Sequence, residues 1–348
     1  MVTQEDIAKK LGITRTTVAR ALKGMPSVKE KTRRLVCEEA ERMGYVPNGA
    51  ATSLALKKEK HIYAFIVATI DEEYGRQMSE GITNVSNTWS GYQFNIHIIY
   101  TDISKGKFQC DVQLAQFETI LQNNQVDGVI FSALCRRNRD VVSETCVSRD
   151  IPLMTVDSIY PDSSLCHVGP DYFVLGTYSA AFIANLMMGQ GRILTLSYDE
   201  GYELGKKRME GFHHKLKEYE GIECYNVDLD VMSVERYLEI LEEEVPKFNP
   251  VAIYSPYHVD FVGQFLNQNN LQHKIITISN GVNQEVENYL FDGTINGIVS
   301  ARPYYLGTVV ANNFFKYFYR FSEVSTGIID VACDIYIREN YKRFDRIY

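Results

Sequence analysis

The sequence predicts two joined parts: an all-α helix-turn-helix headpiece, then an α/β body with parallel sheets in two lobes. Three observations carry that expectation. Charge is split along the chain, two short helical periods flank a glycine turn near the start, and strand-like and helix-like runs alternate from Ile62 onward.

The charge split is hidden in the average. The chain has 36 Lys/Arg and 44 Asp/Glu, a net of −8. Residues 1–60 hold 13 of the bases and 7 of the acids, or +6, which leaves 23 and 37, or −14, for the other 288 residues. A basic module can meet phosphate while an acidic body repels it. The length of 348 residues suits two or three domains with a substantial core. A makeup of 45% hydrophobic and 23% charged residues is that of a globular chain. No apolar run approaches the roughly 18 residues of a membrane span. The opening Met1-Val2-Thr3-Gln4-Glu5-Asp6 carries charge where an export signal needs an apolar core, so a cytoplasmic location is expected. Seven cysteines without C-x-x-C spacing are expected as reduced thiols; no disulfide frame, metal site or cofactor is expected.

In the headpiece, Ile7 and Leu11 stand four apart on one face of a first helix, 4–11, with Glu5 and Asp6 in its first turn. Gly12 follows as a left-handed stop. Thr14 caps a second helix, 15–23, whose apolar positions are Val18, Ala19 and Leu22. After Gly24-Met25-Pro26, a third helix starts at Ser27 or Lys29 and runs to Met43-Gly44. Val28, Leu35, Val36, Ala40 and Met43 are expected to complete a three-helix core.

Val18-Ala19-Arg20-Ala21-Leu22-Lys23, Val28-Lys29-Glu30-Lys31-Thr32-Arg33, Gly44-Tyr45-Val46-Pro47-Asn48 and Ala51-Thr52-Ser53-Leu54-Ala55 follow one another in order. Together they resemble the DNA-binding headpiece of the LacI/GalR (lactose-repressor) family. The resemblance implies a headpiece over 1–46, a hinge helix and linker over 47–60, and a two-lobed effector and dimerisation domain over 61–340. A recognition helix presents its first turn to base edges in the major groove. Arg15, Thr16 and Arg20 are therefore the expected base readers, Arg20 by the bidentate contact that Arg makes to guanine. Thr17, Lys29, Thr32 and Arg33 are assigned to phosphate, which sets affinity and register. The hinge, with Asn48, Ala51 and Leu54, is too short to stand alone as a helix in water. By resemblance it orders on double-stranded operator DNA as a dimer, with Leu54 wedged into a minor-groove step. Gly49 departs from what such a helix prefers.

In the body, strands are expected at 62–68, 94–100, 128–132, 152–156, 193–198, 222–227, 251–254, 274–278, 295–299 and 328–337. Helices are expected at 74–89, 111–122, 140–149, 172–188, 205–219, 234–245, 260–269 and 304–321. Such alternation means right-handed βαβ units, and more than eight strands suggest two sheets. The pattern resembles the periplasmic-binding-protein type I fold. That resemblance implies lobe 1 at about 61–160 and 292–321 and lobe 2 at about 161–291 and 322–340. The chain would then cross near 157–164, 288–292 and 321–325.

Ligands of open α/β sheets bind beyond the carboxyl ends of the strands. Those ends offer Thr69, Asp71, Glu72, Tyr74, Ser132 and Asp157 from lobe 1. Lobe 2 offers Asp171, Tyr172, Tyr198, Tyr254, Ser255 and Asn280, and Arg302 follows the ninth expected strand. Hydroxyl, amide and carboxylate groups hydrogen-bond a sugar while aromatic faces stack on its C–H surface. Arg208, in Arg208-Met209-Glu210-Gly211-Phe212, matches the family's R-x-x-G-F arginine, which holds the effector. The chain departs from the family's usual patterns at Tyr254-Ser255-Pro256-Tyr257-His258, at Ile278-Ser279-Asn280-Gly281 and at Ala301-Arg302-Pro303. Arg208 with Arg302 would clamp a carboxylate or phosphate, which points to an acidic or phosphorylated sugar.

Other classes fit less well. Gly189-Gln190-Gly191 precedes a strand instead of following one, and the nucleotide-loop, nucleophile-elbow and metalloprotease patterns are absent, so no enzyme is expected. A solute-binding protein would account for 62–340 but not for the basic headpiece. A homodimer on a pseudo-palindrome is expected, paired through 75–89 and the edge at 94–100. No leucine heptad follows Tyr336, so no tetramerising coiled coil is expected.

Overall fold

The computed structural model describes residues 2–22, 28–45, 59–67, 73–101, 109–158, 163–198, 203–229, 233–319 and 324–341. Helix α1 (Gln4–Leu11) opens on a reciprocal cap: the Thr3 amide donates to Asp6 Oδ2 at 2.9 Å and the Asp6 amide to Thr3 Oγ1 at 3.3 Å. It stops at Gly12, whose φ of 65° suits a residue without a Cβ. Helix α2 (Arg15–Leu22) begins where Thr14 Oγ1 accepts the Thr17 amide at 3.1 Å. Helix α3 (Glu30–Arg42) closes a core of Ile7, Ala8, Val18, Ala21, Leu22, Val28, Val36 and Ala40.

Two core expectations are corrected. Leu35 is 49% exposed, because Val36, a 100° step around the helix, is the residue that points inward. On α2 it is Ala21, three after Val18, that is buried, whereas Ala19 lies only half-buried.

Among the described residues the body forms two six-stranded sheets. The first contains β1 (Lys60–Val67), β2 (Phe94–Thr101), β3 (Gly128–Phe131), β4 (Leu153–Val156), β5 (Cys166–Gly169) and β11 (Gly327–Asp330), in the order β11-β5-β4-β3-β1-β2. The second contains β6 (Gln190–Tyr198), β7 (Gly221–Leu229), β8 (Ala252–Tyr254), β9 (Ile276–Ser279), β10 (Gly297–Ala301) and β12 (Cys333–Tyr336), in the order β12-β10-β9-β8-β6-β7. Among the described residues every pairing is parallel except β10 with β12.

Crossover helices cover the faces. They are α4 (Glu73–Thr88), α5 (Gln109–Asn123) and α6 (Arg136–Ser148) on the first sheet. On the second lie α7 (Tyr172–Leu186), α8 (Glu203–Leu216), α9 (Val234–Phe248), α10 (Val259–Gln268) and α11 (Gln284–Asp292). Helix α12 (Pro303–Tyr319) returns to the first sheet and lies backbone to backbone on α4: a Cβ on Gly307 would stand 2.0 Å from the Met78 carbonyl oxygen. In the second lobe α7 and α8 meet the same way, a Cβ on Gly176 falling 2.0 Å from the Arg208 carbonyl oxygen. No helix among the described residues is long and apolar enough to cross a membrane.

The crossings lie elsewhere than expected. Strand β5, absent from the expected set, pairs with β4 through Met154↔Cys166 and so belongs to the first sheet. Strand β10 pairs with β9 through Gly297↔Ile278 and belongs to the second. The chain therefore changes lobe after Gly169, at Arg302 between β10 and α12, and between Asp330 and Cys333. The expected crossing at 288–292 is instead the end of α11, and the single strand expected at 328–337 is β11 plus β12, one in each sheet.

His167, on β5, is buried, and a ring nitrogen shares a 2.9 Å hydrogen bond with Thr155 Oγ1. Burial, with Lys207 as a lesser cause, pushes its pKa down to about 4. The unfolded chain therefore binds a proton that the fold refuses. The stabilisation is complete above the unfolded value near 6.5 and is lost as pH falls through the window down to about 4. Chemical unfolding at pH 7 and pH 4 should differ by roughly 2–3 kcal/mol from this residue. His167→Gln should remove that part of the difference; an unchanged pH slope in the variant would contradict it.

Candidate functional site

Two sites are built on this frame. On the headpiece, Arg15, Thr16 and Arg20 are exposed on α2, opposite the face that buries Val18, Ala21 and Leu22. The packing that forms the core thus turns these three side chains outward. Thr17 is half-buried and its hydroxyl lies 2.9 Å from that of Thr14. Lys29 is exposed, and its carbonyl takes the amides of Thr32 and Arg33 at 2.9 and 3.0 Å as α3 begins. Thr32 is half-buried, and Arg33 shares its charge with Glu30 at 3.1 Å. Asn48, Ala51 and Leu54 lie outside the described residues, as do Thr69, Asp71 and Glu72.

The second site lies between the lobes. Asp157 follows β4 with φ 47°, a left-handed conformation that Asp tolerates better than most residues. Its carboxylate accepts the Tyr74 hydroxyl at 3.1 Å and the hydroxyl of Tyr172. Tyr74 stands on α4 of lobe 1 and Tyr172 at the start of α7 in lobe 2, so one carboxylate ties the two lobes together. Burial raises the Asp157 pKa above the usual carboxylate value, and the Tyr172 hydroxyl, the Arg208 charge and the Tyr74 hydroxyl act against that rise. Ser132, buried at the end of β3, donates from Oγ to the Asp157 carbonyl at 3.4 Å.

Arg208 completes this cluster from α8. Its Nη1 donates to the Pro256 carbonyl at 3.1 Å, and its guanidinium carbon lies 4.9 Å from the Tyr172 ring centre and 5.2 Å from that of Tyr257. Its Nε is buried and makes no hydrogen bond among the described residues. A charged planar fork between two aromatic faces, with one donor unused, is a ready partner for a ligand oxygen.

Other expected site residues are committed elsewhere. The Asp171 carboxylate caps α7, accepting the Phe173 and Val174 amides at 2.9 and 3.2 Å. Tyr254 and Asn280 form a floor beneath the cleft. Tyr254 Oη donates to Asn280 Oδ1 at 2.7 Å, Asn280 Nδ2 donates to Ser179 Oγ and the Val299 carbonyl, and the Tyr254 ring stacks on Phe212 at 4.0 Å. Ser255 is buried, its Oγ donating to the Tyr257 carbonyl at 2.5 Å. The Tyr198 side chain lies outside what is described.

Arg302 corrects the expected two-arginine clamp. Asp334 holds its guanidinium bidentately, Nε to Oδ2 at 2.5 Å and Nη2 to Oδ1 at 3.0 Å. Sequence reasoning places Tyr257 in a departing segment but gives it no site role, although it is one of the two faces against Arg208. It stands past the Pro256 break, two positions beyond the last strand-end residue considered.

A two-lobed domain with such a cleft, preceded by a helix-turn-helix, defines a binding domain of the periplasmic type joined to a DNA-reading module. The chain belongs to the periplasmic binding protein domain family, whose model it matches over residues 63–318, and over residues 3–48 it matches the lacI family of bacterial regulatory proteins. Catabolite control protein A of Priestia megaterium is 30% identical over 175 residues, 49% of this chain and 48% of its own length, so the match spans about half of that relative. The "Probable HTH-type transcriptional repressor ExuR" of Bacillus subtilis (strain 168) is 25% identical over 249 residues, 69% of this chain and 70% of its own. Among solved structures, the glucose-galactose binding protein GanP of Geobacillus stearothermophilus superposes with a TM-score of 0.70 at 19% identity, over 81% of this chain and 99% of that one. At that identity the likeness is one of fold.

Proposed function

We propose that this chain is a cytoplasmic, sequence-specific DNA-binding transcription regulator. It acts as a repressor that binds a pseudo-palindromic operator as a homodimer, with its affinity set by a small sugar-like effector in the interlobe cleft. The observation that carries the reading is Arg15, Thr16 and Arg20 exposed on a helix whose other face is the headpiece core. The match to the lacI family over residues 3–48 supports it. Thr17, Lys29, Thr32 and Arg33 meet phosphate, and Asn48, Ala51 and Leu54 form the minor-groove hinge.

In the cleft, Tyr74, Asp157, Tyr172 and Arg208 take the effector, with Tyr257 as a second stacking face. Asp71, Glu72 and Tyr198 remain rim candidates, while Ser132 and Ser255 shape the walls. Because Asp334 occupies Arg302, one arginine is left for an acidic group. A sugar with a single carboxylate therefore fits better than a phosphate that needs both. An effector that takes over the hydroxyl–carboxylate bonds of Asp157 changes what holds the lobes together and hence the spacing of the paired hinges. Dimer pairing through α4 and β2 is supported by the position of β2 at the sheet edge, where Tyr100 is 49% exposed. The test is a titration of operator duplex, selected from random sequence by the full chain, onto the full chain and onto residues 59–348, with and without bound sugar. Only the full chain should bind the duplex, and sugar should shift that binding.

A further inference from the structure

Outside the ligand site, two cysteines stand on adjoining segments at the rim of the first lobe. Cys110 is the second residue of α5 and Cys135 directly precedes α6, so both stand beyond the carboxyl ends of the strands β2 and β3. A buried amide clasp joins the two segments. Asn138 Nδ2 donates to the Cys110 carbonyl and to Gln113 Oε1, both at 2.9 Å. Gln113 Nε2 donates to the Ser132 carbonyl at 2.9 Å, and its Oε1 also accepts the Leu134 amide at 3.1 Å. Gln113 and Asn138 are fully buried, and Arg137 bridges to Asp111 at 2.7 Å on the outside. The backbone beside each cysteine is thus pinned to the segment that carries the other, and the Cys135 sulfur is close enough to help raise the Cys110 pKa.

Both cysteines are half-buried, within reach of a small oxidant. Burial, and then the neighbouring sulfur, push the Cys110 thiol up to about 12. Cys135 stands at the N-terminus of α6, the position that favours an attacking sulfur, and meets an electrophile first. The other five cysteines stand on separate elements: Cys37 on α3, Cys146 on α6, Cys166 on β5, Cys224 on β7 and Cys333 on β12.

We propose that Cys110 and Cys135 form a reversible disulfide when a hydroperoxide reaches this rim, making the pair an oxidative modification site of the ligand-binding lobe. The Cys135 sulfur attacks the peroxide, the O–O bond breaks, and hydroxide (or alkoxide) leaves while Cys135 becomes a sulfenic acid. The Cys110 sulfur then displaces that hydroxyl, which departs as water with the Cys110 proton. Overall two thiols and one peroxide give one disulfide, one water and one further water or alcohol. A dithiol reductant reverses the link by exchange. The product staples the start of α5 to the entry of α6, across the Gln113–Asn138 clasp and three positions past Ser132 of the cleft wall.

The experiment treats the full chain with an equimolar amount of hydrogen peroxide, alkylates the remaining thiols, and maps peptides by mass. The expected result is a fall from seven free thiols to five, with Cys110 and Cys135 in one cross-linked peptide that dithiothreitol releases. In Cys110→Ser the same treatment should leave Cys135 as a sulfenic acid, trapped by a 1,3-diketone probe, with no cross-link. A different pairing in the wild-type chain, or oxidation of Cys135 beyond sulfenic acid without a link to Cys110, would overturn the proposal. So would seven thiols left intact.

Discussion

Arg20→Ala is expected to reduce operator binding toward the level of random duplex while leaving ligand affinity unchanged. The side chain is exposed on α2 in line with Thr16, one turn earlier, and its neighbours Val18, Ala21 and Leu22 fix the helix from behind. Truncation therefore removes the proposed reader and leaves the scaffold. A bidentate arginine contact discriminates by about 1–3 kcal/mol, and a two-fold dimer carries two copies, so specific affinity should fall by roughly 30-fold to 10⁴-fold. Fluorescence anisotropy on the selected operator and on a scrambled duplex at one fixed salt concentration measures it. Selectivity undiminished by the substitution would contradict the assignment of α2 as the reading helix.

Arg208→Ala is expected to have the other large effect, and it should split into two parts. Removing the guanidinium leaves Asp157 in the cleft without its nearby positive charge and strips one face from Tyr172 and Tyr257. Loss of one partner from a buried charge cluster costs about 3–5 kcal/mol; Arg208 is only half-buried, so about 2–3 kcal/mol is expected here. Ligand affinity should fall at least about 100-fold, since the unused Nε and the stacked fork both disappear. Adding Asp157→Asn should restore much of the stability, because the uncompensated charge goes, but none of the binding. Urea unfolding and calorimetry with neutral sugars and their uronates separate the two. Undiminished sugar binding in Arg208→Ala would remove Arg208 from the site.

The headpiece is legible in the sequence because its signals are local. The Thr3 and Asp6 cap, the Gly12 stop and the four-residue spacing on α1 each act within one turn, and α1 and α2 fall within a residue of expectation. Leu35 escapes such reasoning because residue type cannot tell it from Val36, one step around the same helix. In the body, β-branched runs reveal most strands, but β5, Cys166-His167-Val168-Gly169, is four residues long and has neither alternation nor a β-branched run. Its pairing with β4 decides where the lobes divide, and pairing is not written in local pattern.

The cleft shows the same limit. The strand-end rule finds Tyr74, Asp157 and Tyr172, since topology alone brings those ends to one side. It does not separate rim from floor. Tyr254 and Asn280 are consumed by each other, Asp171 by the amides of its own helix, and Arg302 by Asp334, 32 positions away. Each commitment depends on a partner that only the assembled fold supplies.

The central claim, a DNA-reading headpiece governed by a ligand in the interlobe cleft, is tested most directly by operator titration with and without saturating sugar. The full chain should prefer its operator over scrambled duplex by at least about 10³-fold, and ligand should shift that affinity by about 5-fold or more. Residues 59–348 should bind the same sugar with unchanged affinity and no duplex. Operator affinity indifferent to a sugar that demonstrably binds, or operator binding retained by residues 59–348, would contradict the account.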